Sequence, residues 1–289
     1  MKYSTFKSYL QSKRQRTTSV NSNLQMIERF ESWYKKQDLE QAELTATDVL
    51  NYLEELKKQG VKQKTQAIYL NSIKHYTRFL NENEINEISI QHMTIKGVRR
   101  NDLQNILTTE QLEAIYHNYP TKTPINKRNK AILSLLIYQG ITTGELGTLS
   151  VNNLHLMEGK ISIPPHNRNL ERVLKLEAFQ ILLLDDYLKT VRAELVKDEQ
   201  DKQLVLSSGT SSKLHNLLTK LMQNLRKQHP QLESYKQIRA SVITNWLKVH
   251  HLRRVQYLAG HRFISSTERY QVEDLASLKS AIELHQPHF

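Results

Sequence analysis

Apolar residues recur three and four positions apart along most of this 289-residue chain, and that period restricts the fold to a largely helical one. In the first clear run, Leu24, Ile27, Phe30 and Tyr34 fall on one face of a helix. A helix with one apolar face buries that face against a neighbour. Successive helices joined by short loops therefore predict a small bundle at the N-terminal end of the chain.

Two further helices are predicted to complete this bundle. One begins at Thr47 and stops at Gly60, a residue type that commonly ends helices. The next runs from about Lys64 to Leu80 and carries Lys64 and Arg78 outside its apolar stripe. The bundle therefore presents cations on its surface.

The helical pattern fades between residues 81 and 102 and returns in the second half of the chain. A chain of this length is long enough for two packed domains. We predict an N-terminal domain over residues 1–95, a linker over residues 96–106 and a C-terminal domain over residues 107–289.

Two short segments interrupt the helices of the C-terminal domain. Residues 160–163 and 172–176 alternate or run apolar as strands do, and a Pro, His and Asn cluster joins them. They predict a β-hairpin. Helices are predicted at residues 131–138, 177–197, 213–228, 235–249 and 272–284, with a further one capped by Thr108 or Thr109.

The overall charge indicates a polyanionic partner. The formal net charge is +12 and the sequence pI is about 9.6, and Lys and Arg gain affinity by releasing counterions from nucleic acid. The chain has no cysteine, which excludes disulfides and thiolate metal sites. We find no signal peptide and no apolar run of about 20 residues, the length that spans a bilayer. We therefore expect a soluble, cytoplasmic protein that does not enter membranes.

Five cations are candidates for contacts with DNA phosphates. Lys64 and Arg78 lie on the third predicted helix, and Lys96, Arg99 and Arg100 lie in the linker. A linker that crosses a duplex brings its cations onto phosphates. The alternative is that the three linker cations only keep a loop in water.

One segment, LAGHRFISSTERYQ, places Tyr270 nine positions after His261. A tyrosine that attacks a phosphodiester must lose its proton, the transition state gains negative charge, and the leaving 5′ oxygen needs a proton. Cations and donors aimed at the phosphate then supply most of the catalysis. The chain has 13 Tyr and 12 His, so the prediction depends on the residues around this pair.

The segment resembles the C-terminal signature of the tyrosine recombinases, the lambda-integrase and Xer-type enzymes that cut and rejoin DNA. Their pattern reads roughly L-G-H-x-x-I-x-x-T-x-x-Y, and here one alanine is inserted before the glycine. The matching residues are Leu258, Gly260, His261, Ile264, Thr267 and Tyr270. The resemblance implies a mainly α fold: an N-terminal helical core-binding (SAM-like) bundle, followed by a mostly helical DNA breaking-rejoining catalytic domain with a small antiparallel β-sheet.

A second motif lies upstream, where Lys236 and Arg239 resemble part of the family's H-x-L-R-H box. Arg239 lies 22 residues before His261 and 31 residues before Tyr270. The resemblance implies that Tyr270 is the nucleophile, that Arg239 and Lys236 hold the scissile phosphate, and that His261 assists by hydrogen bonding or proton transfer. It also implies that no metal and no nucleotide cofactor is used.

Two positions depart from the family's pattern. Its loop T-G-x-R-x-S-E-L corresponds to residues 139–146, where Thr142 replaces the arginine and Glu145 matches. Its hairpin pattern K-G-x-K-x-R, aligned on Arg172, puts Asn167 at the position of the lysine that acts as general acid. Threonine lacks the charge and the two-pronged donor of arginine, and asparagine cannot deliver a proton at neutral pH.

Other cations are candidates for the two missing groups. Lys160, Arg168 or Arg172 could reach in for the lysine, and Arg128 or Lys130 could replace the arginine. The sequence leaves these alternatives open.

Two functions remain at this point. The first is site-specific recombination of duplex DNA through a 3′-phosphotyrosyl intermediate, by a dimer or homotetramer assembled on DNA through the C-terminal helix at residues 272–284. The alternative for that helix is packing on its own domain. The second function is a recombinase-fold DNA-binding protein that has lost cleavage and acts as a regulator or architectural partner.

Overall fold

The chain forms two compact units, Met1–Asn101 and Asp102–Phe289, each with its own hydrophobic core. The computed structural model describes residues 4–97, 105–196, 198, 200–206 and 214–271. The predicted helix at residues 272–284 and the linker residues Arg99 and Arg100 lie outside the described residues.

The described part of the first unit is a helical bundle, as predicted. Its helices are α1 (Phe6–Ser12), α2 (Thr17–Lys35), α3 (Ala46–Lys58) and α4 (Gln63–Glu82). Aromatic rings fill much of the space between them: Phe30 is fully buried and packs against Tyr52 with ring centroids 5.0 Å apart. Large rings bury more apolar surface than aliphatic side chains do.

Two details of this bundle differ from the prediction. The predicted start at Thr47 is wrong, because Thr45 caps α3: its hydroxyl accepts the amide of Asp48, and the Asp48 carboxylate accepts the amide of Thr45. The segment before Thr17 also contains α1, whose Phe6 and Tyr9 are buried in the bundle. A helix of seven residues gives too short a periodic signal to be recognised on its own.

The second unit is mostly helical. Its helices are α5 (Thr109–His117), α6 (Pro124–Tyr138), α7 (Thr143–Leu146), α8 (Ala178–Asp186), α9 (Ala193–Leu195), α10 (Leu214–Gln228), α11 (Tyr235–Val249) and α12 (Leu252–Ala259). A π-helical stretch, Tyr187–Arg192, joins α8 to α9 without a break. Thr108 caps α5, and α6 starts before its predicted position because Thr123 and Pro124 form a strong N-terminal signal.

A three-stranded antiparallel sheet lies among these helices. It consists of β1 (Leu154–His155), β2 (Lys160–Ile163) and β3 (Arg172–Lys175), in the order β1-β2-β3. The predicted hairpin is confirmed as β2 and β3, and β1 is added to it. The register places Ile163 opposite Arg172, so an arginine occupies a buried position of β3 where an apolar residue is the norm.

None of the described helices combines the length and apolar character needed to cross a membrane.

Candidate active site

The loop after α6 begins the site. Gly140 turns the chain with a φ of +54°, and a Cβ there would lie 2.9 Å from Val242, so glycine is needed for both backbone and space. Thr142 then caps α7: its hydroxyl accepts the amide of Glu145, and a carboxylate oxygen of Glu145 accepts the amide and hydroxyl of Thr142 at 2.7 and 3.0 Å. The side chain at the family's arginine position is therefore engaged in its own helix start.

Glu145 is the centre of a buried ion cluster. Its side chain has no exposed surface, and it accepts hydrogen bonds from Arg172 at 2.7 Å and from the Asn169 amide at 3.0 Å. A guanidinium nitrogen of Arg239 lies 3.8 Å from its other oxygen. Burial alone would raise the pKa of Glu145, but the hydrogen bond and charge of Arg172, the amide of Thr142 and the charge of Arg239 hold it at about 2. Glu145 is therefore ionised at neutral pH.

Arg239 lies on α11 and is buried. Its guanidinium donates to the carbonyl oxygens of Gly140 and, at 2.6 Å, Ala259. Gly140 lies in the loop after α6, and Ala259 is the last residue of α12. Arg239 is thus held in a fixed orientation by hydrogen bonds to two separate parts of the chain.

His261 follows directly on Gly260, the left-handed residue that ends α12. One ring nitrogen, Nδ1, is paired with the Thr267 hydroxyl at 2.8 Å. Burial, together with the charges of Arg239 and Arg172, lowers the pKa of His261 to about 4. The imidazole is neutral at pH 7, with Nε2 as the nitrogen available for proton transfer.

Tyr270 lies against His261. The two rings are stacked with centroids 5.9 Å apart and planes 10° from parallel. The tyrosine is 8% exposed and packs in a small apolar cluster with Ile243 and Val255, while the Arg269 guanidinium lies 5.2 Å from its ring centre. The structure thus brings Tyr270, His261 and Arg239 into one region of the second unit.

Lys236 is exposed in the first turn of α11. It precedes Arg239 by three residues, so both side chains lie on the same side of the helix. Lys236 is thus at the surface of the helix, whereas Arg239 is buried.

The β2–β3 hairpin is attached to the loop that carries His261. Asn169 forms an isolated antiparallel bridge with His261, and the Leu170 amide donates to the Gly260 carbonyl at 2.8 Å. The hairpin tip is formed by Asn167, which is exposed at a φ of +57°, and Arg168. The position of the family's lysine is therefore at the tip of a hairpin that contacts the site.

Of the cations considered as replacements, the structure brings Arg172 into the cluster. Its Nε donates to the Leu258 carbonyl at 2.8 Å, and its Nη2 is buried without a hydrogen-bond partner among the described residues. Arg128 donates to Leu206 instead. Two of the other candidates also have partners elsewhere: Lys130 donates to the backbone of His117 and Tyr119, and Lys160 pairs with Glu158.

Sequence reasoning missed three features of the site. Asn169 was not named, the contact of Arg172 with Glu145 was not predicted, and the burial of Glu145 was not predicted. The alternation of β3 contained a signal for one of them. Because Leu174 faces the core, Arg172 two residues earlier faces it too.

The DNA-contact candidates of the first unit lie on its surface. Lys64 and Arg78 are exposed on α4, and Lys96 is exposed after it. A Lys or Arg side chain on the surface can contact DNA phosphates.

Comparison with known proteins supports the same assignment. Residues 105–275 match the phage integrase family, and residues 4–84 match the phage integrase N-terminal SAM-like domain. The chain belongs to the phage integrase family, the tyrosine recombinases that carry out site-specific DNA recombination. The family resemblance and the fold class predicted from the sequence are confirmed.

Two relatives and two solved structures illustrate the match. Tyrosine recombinase XerC of Natranaerobius thermophilus is 28% identical over 85% of this chain and 84% of the relative, and XerD of Oceanobacillus iheyensis is 28% identical over 84% and 83%. The XerH recombinase in a post-cleavage complex with a palindromic difH substrate has a TM-score of 0.73 at 19% identity, covering 92% of this chain and 80% of XerH. The Tn1549 transposon integrase with a circular intermediate DNA has a TM-score of 0.71 at 13% identity, covering 96% and 98%. These two structures support the fold.

Proposed function

We propose that this chain cuts and rejoins duplex DNA by attack of Tyr270 on a phosphodiester, through a 3′-phosphotyrosyl intermediate. The observation that supports this most is the stacking of the Tyr270 ring on His261, 5.9 Å away, beside the anchored guanidinium of Arg239. A nucleophile, a neutral imidazole and a fixed cation in one place are what this chemistry requires.

Arg239 and Lys236 bind the scissile phosphate. Arg239 donates to two carbonyl oxygens, and a guanidinium has five N–H donors, so donors remain for the phosphate oxygens. Lys236 adds a mobile charge from the same side of α11. The negative charge that develops in the transition state is stabilised by cations already in place.

His261 accepts the proton of the nucleophile. In the tautomer whose Nδ1–H donates to the Thr267 hydroxyl, Nε2 of the neutral ring takes the phenol proton as the Tyr270 oxygen bonds to phosphorus. The bond from phosphorus to the 5′ oxygen breaks in the same step. Since the phosphodiester energy is kept in the phosphotyrosine bond, the reverse reaction rejoins the strand without a nucleotide cofactor or a metal.

The first unit is proposed to grip the duplex next to the cut. Lys64, Arg78 and Lys96 are its candidate phosphate contacts, together with Arg99 and Arg100 of the linker, because each cation near the backbone releases a counterion. We further propose assembly on DNA as a dimer or homotetramer through the helix predicted at residues 272–284. We place the reaction in the cytoplasm, because its substrate is DNA.

A pool of nicked suicide duplexes with a randomised core tests the reaction without knowledge of the target. Loss of the short fragment beyond the nick traps the covalent complex, which is isolated in denaturant and sequenced. We expect wild-type protein to enrich one core sequence and Tyr270→Phe to give no adduct while still binding DNA. Tyr138→Phe is the matched control, because its ring packs against Tyr116 and Phe179 on another part of the unit.

A different outcome would favour the non-cleaving protein. If wild-type protein binds duplex DNA but never forms an adduct, the proposal fails. A double variant, Thr142→Arg with Asn167→Lys, then separates the remaining explanations. Gain of an adduct in that variant identifies a recombinase scaffold that has lost its cleavage groups.

A further inference from the structure

The proposed reaction needs an acid for the 5′ oxygen, and the residues assigned so far do not supply one. Asn167 cannot deliver a proton, and arginines do not give theirs up. His261 has its pKa lowered to about 4, so it serves as a proton acceptor. Lys236 is already assigned to holding the phosphate and lies on α11, whereas the family's acid lies on the hairpin.

His166 lies immediately before Asn167 in the hairpin, and its backbone geometry directs it toward the site. Its amide donates to the Asn169 carbonyl at 3.2 Å, and the Asn169 amide donates to the His166 carbonyl at 2.9 Å. Residues that exchange both bonds are a directly opposed pair, and their side chains lie on the same face of the hairpin. Because the Asn169 side chain donates to Glu145, that face is the one turned toward the ion cluster.

The space at Gly144 confirms where the imidazole lies. A Cβ at Gly144 would be 2.6 Å from Nε2 of His166 and 3.0 Å from its Cδ2. The His166 ring therefore lies against Gly144 in the first turn of α7, next to Glu145 in the sequence. Gly144 is not among the glycines with positive φ, so what a side chain here would disturb is the position of the His166 ring.

We propose that His166 is the general acid that protonates the 5′ leaving oxygen, in place of the lysine that this chain lacks. The inference rests on the proposed function and adds one residue to it. As the bond from the Tyr270 oxygen to phosphorus forms and the bond from phosphorus to the 5′ oxygen breaks, the electron pair stays on the 5′ oxygen. That oxygen takes the proton from Nε2 of a protonated His166, which is left neutral. In rejoining, His166 takes the proton back from the 5′ hydroxyl.

Sulfur at the scissile 5′ position tests this directly, because a thiolate leaves readily without a proton. A core sequence enriched from the suicide pool is made with either a 5′-bridging oxygen or a 5′-bridging sulfur. We expect His166→Gln to slow cleavage of the oxygen substrate by about 10²- to 10⁴-fold and to cleave the sulfur substrate at the wild-type rate. Gly144→Ala should show the same pattern more weakly, since its Cβ displaces the ring and leaves His166 in the chain.

His155→Gln is the matched control, because this half-buried histidine lies in the same sheet and is paired with Ser162 at 2.9 Å. We expect it to behave like wild-type protein on both substrates. Equal losses on oxygen and sulfur for His166→Gln would overturn the inference and make His166 structural. No loss on either substrate, or sulfur rescue of Lys236→Gln in place of His166→Gln, would overturn it too. If wild-type protein forms no adduct with either substrate, the proposed function itself fails.

Discussion

The first turns of α3 and α7 form the same local hydrogen-bond pattern in opposite surroundings. In the bundle, Thr45 and Asp48 exchange hydrogen bonds at the surface. In the second unit, Thr142 and Glu145 exchange the same bonds, but the Glu145 side chain has no exposed surface. One pattern caps a helix and does little else, whereas the other also positions a buried carboxylate.

The difference between them lies in the partners of the acidic residue. Glu145 is shared by Arg172 at 2.7 Å and Arg239 at 3.8 Å, so one negative charge lies between two positive ones. The cluster keeps an excess positive charge, which suits a site that binds phosphate. Removing the carboxylate would leave two guanidinium groups facing each other in a buried place.

Removal of Asp48 or Glu145 should show the largest difference in stability between the two helix starts. We expect Glu145→Ala to lower the free energy of unfolding of the second unit by about 3–5 kcal/mol, the cost of breaking a buried ion pair. Asp48→Ala should cost the bundle about 1 kcal/mol, the usual value of a cap. Trp246 reports on the second unit and Trp33 on the bundle, so urea unfolding followed by fluorescence in Trp→Phe variants measures each. Similar losses in both variants would contradict the buried role of Glu145.

Acid should weaken the second unit in two stages. The pKa of His261 is about 4 in the folded protein against 6.5 ordinarily, so its stabilising contribution is complete above pH 6.5 and is lost as the pH falls toward 4. The pKa of Glu145 is about 2 against 4.5, so its contribution is lost between pH 4.5 and 2. Unfolding free energies read from Trp246 across this range measure both stages.

Variants assign these stages to their residues. His261→Gln should remove the upper stage and leave the lower one. The bundle contains His75, whose pKa burial also lowers, so the Trp33 signal is needed to record the bundle's own acid response. An unchanged upper stage in His261→Gln would show that another group causes it.

Removal of the two capping hydroxyls is expected to have the smallest effect on stability. Thr45→Ala and Thr142→Ala should each cost about 1 kcal/mol. Cleavage rate should distinguish them, because Thr142 also holds the Glu145 carboxylate at 3.0 Å, whereas Thr45 lies in the bundle. We expect slower adduct formation for Thr142→Ala alone. Equal rates would mean that the amide of Thr142 is sufficient to position Glu145.

Local patterns predicted the architecture because helices and hairpins are set by nearby residues. The 3.6-residue period located α2 and α4, and α11 was predicted at the residues it occupies. The start of α3 was misplaced because Thr45 and Thr47 both precede Asp48. Only Thr45 lies three residues before Asp48, the spacing at which the two residues exchange hydrogen bonds.

The site was predicted less completely, because its contacts join distant parts of the chain. The signature brought attention to Tyr270 and His261 and the upstream motif to Arg239, and the structure places the three residues together. Nothing local indicated that Arg172 would bond to Leu258, 86 residues later. Such a contact follows from how the sheet is placed against α12, which is a tertiary property.

The absence of a side chain at Gly144 makes this position depend on His166, which lies in another part of the chain. The family's pattern has a serine there, and a serine's Cβ would occupy the place of the His166 ring. A side chain at residue 144 would therefore displace the His166 ring from its place on α7. The two positions are therefore expected to change together in evolution, as a single inherited unit.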